Sequence, residues 1–140
     1  ELKKKEKGQE TQADALDAVA RSLPALWRAE KVQKKAAKVG FDWPDVSGAM
    51  EKVTEETAEL SAAMAGDGDV TEELGDLLFA VVNAARFLKV DPEDALHAAI
   101  DKFSARFRRV EEAAAAQGRR MENMTLAEMD KLWDEVKHKA

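Results

Sequence analysis

Between punctuating Gly, Pro and Asp residues, the apolar positions of this chain recur three and four residues apart, and no window alternates convincingly with period two. That spacing lines one face of an α-helix, whereas half-buried strands need alternation. The chain is therefore restricted to an all-α fold, and its short connections predict an antiparallel helical bundle of about five helices. Ser22 as cap and Pro24 in the first turn open a helix bearing Leu23, Leu26, Trp27, Val32 and Ala36, which stops near Gly40. After the loop Phe41-Asp42-Trp43-Pro44-Asp45, Ser47 caps a second helix carrying Met50, Val53, Leu60 and Met64 and ending at Gly66. A third runs from about Asp69 to Lys89, with Leu74, Leu77, Leu78, Val81, Ala85 and Leu88 as its apolar stripe. Asp91 caps the fourth, Pro92 starts it, and Leu96, Ile100, Phe103, Phe107 and Val110 are its core positions as far as Gly118. Thr125 and Glu128 spell a capping box for the last helix, stapled by Met124 and Met129. Residues 1–21, with Lys3-Lys4-Lys5 and Gly8, show little periodicity and read as a linker or frayed arm, which leaves 22–140 as the domain.

Composition narrows the function classes. The chain has 140 residues, 45% of them hydrophobic, enough for one domain with a packed core. It has no cysteine, so disulfides and thiolate metal sites are excluded. No run approaches the roughly 20 apolar residues of a membrane span, and no signal peptide is visible, so a cytoplasmic protein without membrane contact is expected. A net charge of −6 argues against binding nucleic acid through overall charge.

The pairs Glu56–Glu59 and Glu73–Asp76 carry the chemistry. Positions three apart on a helix are neighbours, with Cβ atoms roughly 5–6 Å apart, so each pair is a two-pronged carboxylate claw. Such pairs are common on solvated helix surfaces. Here, however, Asp76 lies within Leu74-Gly75-Asp76-Leu77-Leu78-Phe79, an apolar run in which an unpaired charge is costly to bury. Two facing claws would hold a hard divalent cation through oxygen, which favours Mg²⁺ or Mn²⁺. Zinc would want Cys or His, and the spacings Asp94-x-x-His97 and Glu135-x-x-His138, which mimic di-iron bundles, stand in an opening turn and at the C-terminus.

Neighbouring positions add to the acidic stripes. Lys52 shares a face with Glu56 and Glu59, and Asn83 shares one with Glu73 and Asp76; Asn83 suits a structural hydrogen bond to a neighbouring helix and a ligand contact equally. Glu55 stands a step away, either supporting the site or facing solvent. Lys102, Arg106 and Arg109 form a basic stripe, either a solvated face or a grip on phosphate oxygens. Trp133 and Lys137, four apart, suit core packing or a ring with a charge beside it. Trp43 either plugs a bundle end or offers a stacking surface.

Lys52-Val53-Thr54-Glu55-Glu56-Thr57-Ala58-Glu59-Leu60, followed by Glu72-Glu73-Leu74-Gly75-Asp76-Leu77-Leu78-Phe79, resembles the EExxE…ExxD signature of the all-α nucleoside triphosphate pyrophosphohydrolases, in particular MazG. Leu23-Pro24-Ala25-Leu26, Gln33-Lys34-Lys35-Ala36-Ala37, Val39-Gly40-Phe41-Asp42-Trp43, Val82-Asn83-Ala84-Ala85-Arg86 and Lys102-Phe103-Ser104-Ala105-Arg106-Phe107 agree with it, from about Leu23 to Lys137. MazG proteins usually carry two such domains. This chain resembles the C-terminal one, so a fused N-terminal domain is expected, with the Lys-rich start resembling the segment between them.

The resemblance implies Mg²⁺-dependent hydrolysis of nucleoside triphosphates, ribo or deoxy, to the monophosphate and pyrophosphate by a homodimer. Matching positions would make Glu56, Glu59, Glu73 and Asp76 the metal ligands. Lys52, Lys102, Arg106, Trp133 and Lys137 would contact the nucleotide, with Asn83 beside them, and Glu55, Glu56 or Glu73 would orient or deprotonate the attacking water. Small residues around the motif, Thr57-Ala58 and Ser61-Ala62-Ala63, depart from the family pattern and bear on base selectivity. The rival function is a non-catalytic helical interaction module whose acidic stripe meets a basic partner. Acids set within apolar runs argue against it.

Overall fold

The computed structural model describes residues 11–139. Among them are α1 (Gln12–Asp17), α2 (Ala25–Ala37), α3 (Val46–Met64), α4 (Val70–Phe87), α5 (Pro92–Ala116), a 3-10 turn (Met121–Asn123) and α6 (Leu126–Lys139), and no strand. The all-α expectation holds, with one helix more than the periodicity showed. None of the described helices is long and apolar enough to cross a membrane. Contacts divide the described residues into two compact units, parted between Glu93 and Asp94.

In the first unit α3 packs on α4, α2 on α4, and α1 on α2. The segment read as a linker holds α1. Thr11 and Asp14 form its capping box, with Asp14 N donating to Thr11 Oγ1 at 3.0 Å and Thr11 N to the Asp14 carboxylate at 3.2 Å. Ala15 and Val19 are buried, and Gln12 Nε2 donates to the Lys35 carbonyl of α2 at 2.5 Å. A helix this short has too few turns to print a stripe, so tertiary contact rather than periodicity marks it. Lys3-Lys4-Lys5 and Gly8 lie outside the described residues.

Two caps differ from expectation. Ser22 caps nothing: Pro24 occupies the N-cap of α2 without a side-chain bond. A residue before proline disfavours helical backbone, so the helix cannot begin at Leu23. Asp45, not Ser47, caps α3, accepting from Ser47 N at 2.8 Å. Asp69 caps α4 through Thr71 N (2.9 Å) and Glu72 N (3.3 Å). Asp91 Oδ1 accepts from Glu93 N at 2.9 Å, as expected, and also from Trp27 Nε1 at 2.8 Å.

The larger correction concerns α4. Its buried positions are Ala80, Val82 and Ala84, while Leu74, Leu78, Val81 and Leu88 of the expected core stripe are exposed. The helix is apolar on most sides, and its small-residue side takes the partners within the chain, because alanines let helices approach closely.

The second unit closes Val110 and Ala114 of α5 against Met124, Leu132 and Val136, with Met129 and Trp133 packed on them. Truncating Leu132 to Ala would cost about 2–5 kcal/mol in such a core. The Thr125–Glu128 capping box forms as expected, Thr125 N donating to Glu128 Oε1 at 2.9 Å and Glu128 N to Thr125 Oγ1 at 3.2 Å. Of the core positions assigned to α5, Val110 alone is buried; Leu96, Ile100, Phe103 and Phe107 are exposed.

Candidate functional site

The Asp45 and Asp69 caps fix where α3 and α4 begin, and so which residues these paired helices set opposite one another. One carboxylate oxygen from each of Glu56, Glu73 and Asp76 lies within 4.8 Å of the other two. Glu56 is 7% exposed, an uncommon place for a carboxylate, and Lys52 Nζ stands 3.0 Å from it. That pairing holds the Lys52 ammonium above its ordinary pKa, with the nearby Glu55 and Glu56 charges adding to it against partial burial. Glu55 is exposed and 3.5 Å from the same ammonium.

Glu73 has its pKa raised, first by desolvation and then by the charges of Glu59, Asp76, Glu56 and Glu72. The charge of Glu59 therefore reaches Glu73, although Glu59 lies outside the close group of three. Acids crowded until one resists ionising are an arrangement that a cation relieves. The donors are all carboxylate oxygen, with no His or Cys, and so fit a hard divalent ion such as Mg²⁺.

Glu56, Asp76 and Lys52 also line a cavity of about 710 Å³ in the first unit. Val32, Gln33 and Ala36 of α2 and Phe79, Ala80, Asn83 and Arg86 of α4 form other parts of its wall, with the loop residues Phe41, Asp42 and Trp43. Positive φ at Gly40 (86°) turns the chain into that loop. Trp43 then lies so close over α3 that a Cβ on Gly48 would come within 2.7 Å of its ring.

Arg86 ties the loop down. Its Nη1 donates to Asp42 Oδ2 at 3.1 Å and its Nη2 to Oδ1, while Nε and Nη2 donate to Asn83 Oδ1 at 3.0 and 2.8 Å. These bonds are the main reason the Asp42 carboxyl sits below its ordinary pKa, with Trp43 N–H also donating to it. Asn83 Oδ1 thus accepts from Arg86 of its own helix rather than from a neighbouring helix, and Asn83 lines the cavity as well.

Of the remaining expected residues, Lys102, Arg106, Trp133 and Lys137 belong to the second unit. Lys102 and Lys137 are exposed and Arg106 is half-buried. Trp133 packs on the core, its ring 5.3 Å from Phe103.

Sequence reading passed over Gln33, Asp42 and Arg86. Gln33 had a signal, since a polar residue three from Ala36 and seven from Leu26 stands on the apolar stripe of α2. Asp42 and Arg86 had none, being far apart in the chain and joined only by folding.

Residues 45–110, which contain the three carboxylates, match the model of the MazG nucleotide pyrophosphohydrolase domain. Over that stretch the chain is similar to the MazG family. It is 45% identical over 141 residues to the nucleoside triphosphate pyrophosphohydrolase of Escherichia coli strain K12, covering 98% of this chain and 54% of that protein. Identity to the nucleoside triphosphate pyrophosphohydrolase/pyrophosphatase MazG of Thermotoga maritima is 39% over 137 residues, covering 98% and 53%. An uncharacterized Bacillus subtilis protein, YabN, is 49% identical over 140 residues, with 28% of its length covered. The chain therefore spans about half the length of the two named pyrophosphohydrolases. Within the MazG match fall the whole EExxE…ExxD stretch, Asn83, Arg86, Lys102 and Arg106, whereas Gln33, Asp42, Trp133 and Lys137 lie outside it.

Proposed function

We propose that this chain is a MazG domain that hydrolyses nucleoside triphosphates to the monophosphate and pyrophosphate with Mg²⁺, as a homodimer. The observation that carries the reading is the trio of carboxylates, Glu56 from α3 and Glu73 and Asp76 from α4, gathered within 4.8 Å, two of them on the wall of a large cavity. Glu56, Glu73 and Asp76 would hold the ion, with Glu59 completing the set. A divalent ion there neutralises phosphate charge and makes water more acidic.

The chain's own residues do the rest. Lys52, already paired with Glu56, would also offer its ammonium to a phosphate oxygen. The family resemblance assigns Lys102 and Arg106 to phosphate, one as a point charge and the other as a fork. It likewise assigns Trp133 and Lys137 to the nucleotide, while Asn83 lines the cavity of the first unit. Glu55 is exposed beside the trio and either orients the attacking water or takes its proton, a role that Glu56 or Glu73 could share.

The dimer rests on uncovered apolar surface. Leu78 and Ile100 are each 51% exposed, in company with Leu74 and Val81 on α4 and with Leu96 and Phe103 on α5. Apolar faces of this kind mark interaction sites on soluble chains, and a second copy would bury them.

The test is pyrophosphate release from a nucleoside triphosphate panel with and without Mg²⁺, repeated with Glu73→Gln and Asp76→Asn. Each substitution is expected to lower kcat at least about a hundredfold while helical circular dichroism stays unchanged. Thermal melting supplies a second readout: a rise needing both Mg²⁺ and a non-hydrolysable triphosphate is expected of the unmodified chain and lost in the variants. Full activity in both variants would overturn the assignment of the site.

A further inference from the structure

Ala65-Gly66-Asp67-Gly68-Asp69 connects α3 to α4. Asp67 stands directly before a glycine, and no other Asp or Asn of the chain does. Both Asp67 and Gly68 are exposed. Among the described residues, no hydrogen bond or ion pair holds the Asp67 carboxyl, and the Gly68 N–H has no partner. The other loop aspartates are occupied. Asp42 is gripped by Arg86, while Asp45, Asp69 and Asp91 accept from the backbone of the helices they open. Gly68 takes a φ of 144°, where most side chains cannot follow, and a Cβ built there would meet nothing closer than Ala63 Cβ at 3.7 Å. The nitrogen beside the Asp67 carboxyl is therefore unhindered as well as unpaired.

We infer that Asp67 is a site of spontaneous modification, at which the chain converts to isoaspartate through a succinimide. The Gly68 amide nitrogen attacks Asp67 Cγ. A C–N bond forms, the C–OH bond breaks, and the hydroxyl leaves as water with the amide proton. Water then reopens the five-membered ring at either carbonyl. Cleavage at Cγ restores aspartate. Cleavage at the main-chain carbonyl leaves the chain running through Cγ, longer by one methylene, with the former main-chain carbonyl as a free carboxylate. Water is the sole co-reactant, and the exposed turn supplies it.

The turn has little slack for the added atom. On its α3 side Gly66 N donates to the Ala63 carbonyl and Asp67 N to the Ala62 carbonyl, each at 3.0 Å. On its α4 side Asp69 Oδ1 caps the helix through Thr71 N at 2.9 Å and Glu72 N at 3.3 Å. The methylene enters between these two fixed points. Isoaspartate at position 67 therefore strains the cap of α4 and the packing of α4 on α3, the pair of helices on which Glu56, Glu73 and Asp76 converge.

The experiment ages the purified chain for weeks at physiological temperature and pH, folded and, in parallel, unfolded in urea. Isoaspartate is read by enzymatic methylation and by peptide mapping, and the succinimide as a species lighter by one water. The peptide holding Asp67 is expected to accumulate isoaspartate in severalfold excess over every other Asp-containing peptide, and at similar rates in the folded and unfolded chains. Asp67→Glu, whose longer side chain disfavours the five-membered ring, is expected to accumulate neither species there. The aged parent is expected to melt a few degrees lower than the fresh one, and aged Asp67→Glu to keep its melting point. Isoaspartate at position 67 in no excess over the other sites overturns the assignment. Protection of about tenfold or more in the folded chain overturns it too, because the turn would then be restrained. An aged parent rich in isoaspartate with an unshifted melting point overturns the effect on α4.

Discussion

At the residue scale, what distinguishes this site is which side chains are left wanting a partner and which are satisfied. Glu73 has like charges around it and is pushed toward protonation, whereas Asp42, in the same unit, is held ionised by Arg86. Arg86 joins Asp42 of the loop to Asn83 of α4, so removing it strands two polar groups at once. Arg86→Ala is expected to cost about 1–3 kcal/mol in denaturant unfolding and to change the fluorescence of Trp43, whose loop it anchors. Glu128 offers a test by pH. Thr125 N–H, then Arg119 and the Thr125 hydroxyl, lower its pKa from 4.5 to about 2. The unfolded chain then binds more protons between those values, so the stabilisation is present above about pH 4.5 and is lost as pH falls toward 2. Melting curves should show Glu128→Gln less stable than the parent at neutral pH, with the gap closing across that window. The acids were legible in the sequence because carboxylates three apart in an apolar run stand out. Gln33 and Arg86 were not, because their roles exist only through Phe79 and Asp42, each more than forty residues away along the chain.

At the scale of elements, boundaries were read better than faces. Gly, Pro and Asp mark helix ends through local backbone chemistry: Asp91 and Thr125 cap where expected, and α4 begins at the expected Asp69. Lys89 is instructive because the third helix was expected to reach it. The helix ends at Phe87, and Lys89 takes a positive φ of 60° while Val90 N reaches back to the Ala85 carbonyl at 3.0 Å. That turn favours glycine. Lys89→Gly is expected to raise stability by up to about 1 kcal/mol, the relief of left-handed strain exceeding the added freedom of the unfolded chain. A matched fall at that site in chemical denaturation would show that the lysine side chain contributes more than its backbone costs. Faces were harder. Periodicity shows that α4 has apolar stripes, but a helix apolar on most sides gives no sign of which stripe its own chain will cover.

At the scale of the whole molecule, the uncovered leucines of α4 and the uncovered Ile100 and Phe103 of α5 predict self-association. Sedimentation should give twice the chain mass for the parent, and Leu78→Glu should shift it toward the monomer with helicity kept. A parent that sediments as a monomer with full pyrophosphate release would remove the dimer from the proposal. The sequence by itself determined the all-α class, most helix starts and the identity of the clustered acids, since each depends on spacing along one helix or on the chemistry of one turn. Only the tertiary structure decided the rest. It showed that Glu56, Glu73 and Asp76 converge more closely than Glu59 joins them, that α1 packs where an arm was expected, and that small residues rather than leucines face inward on α4. It also placed a buried glutamine on the wall of the acidic cavity. These depend on how helices lie against one another, and that is set by side chains distant in sequence competing for the same space.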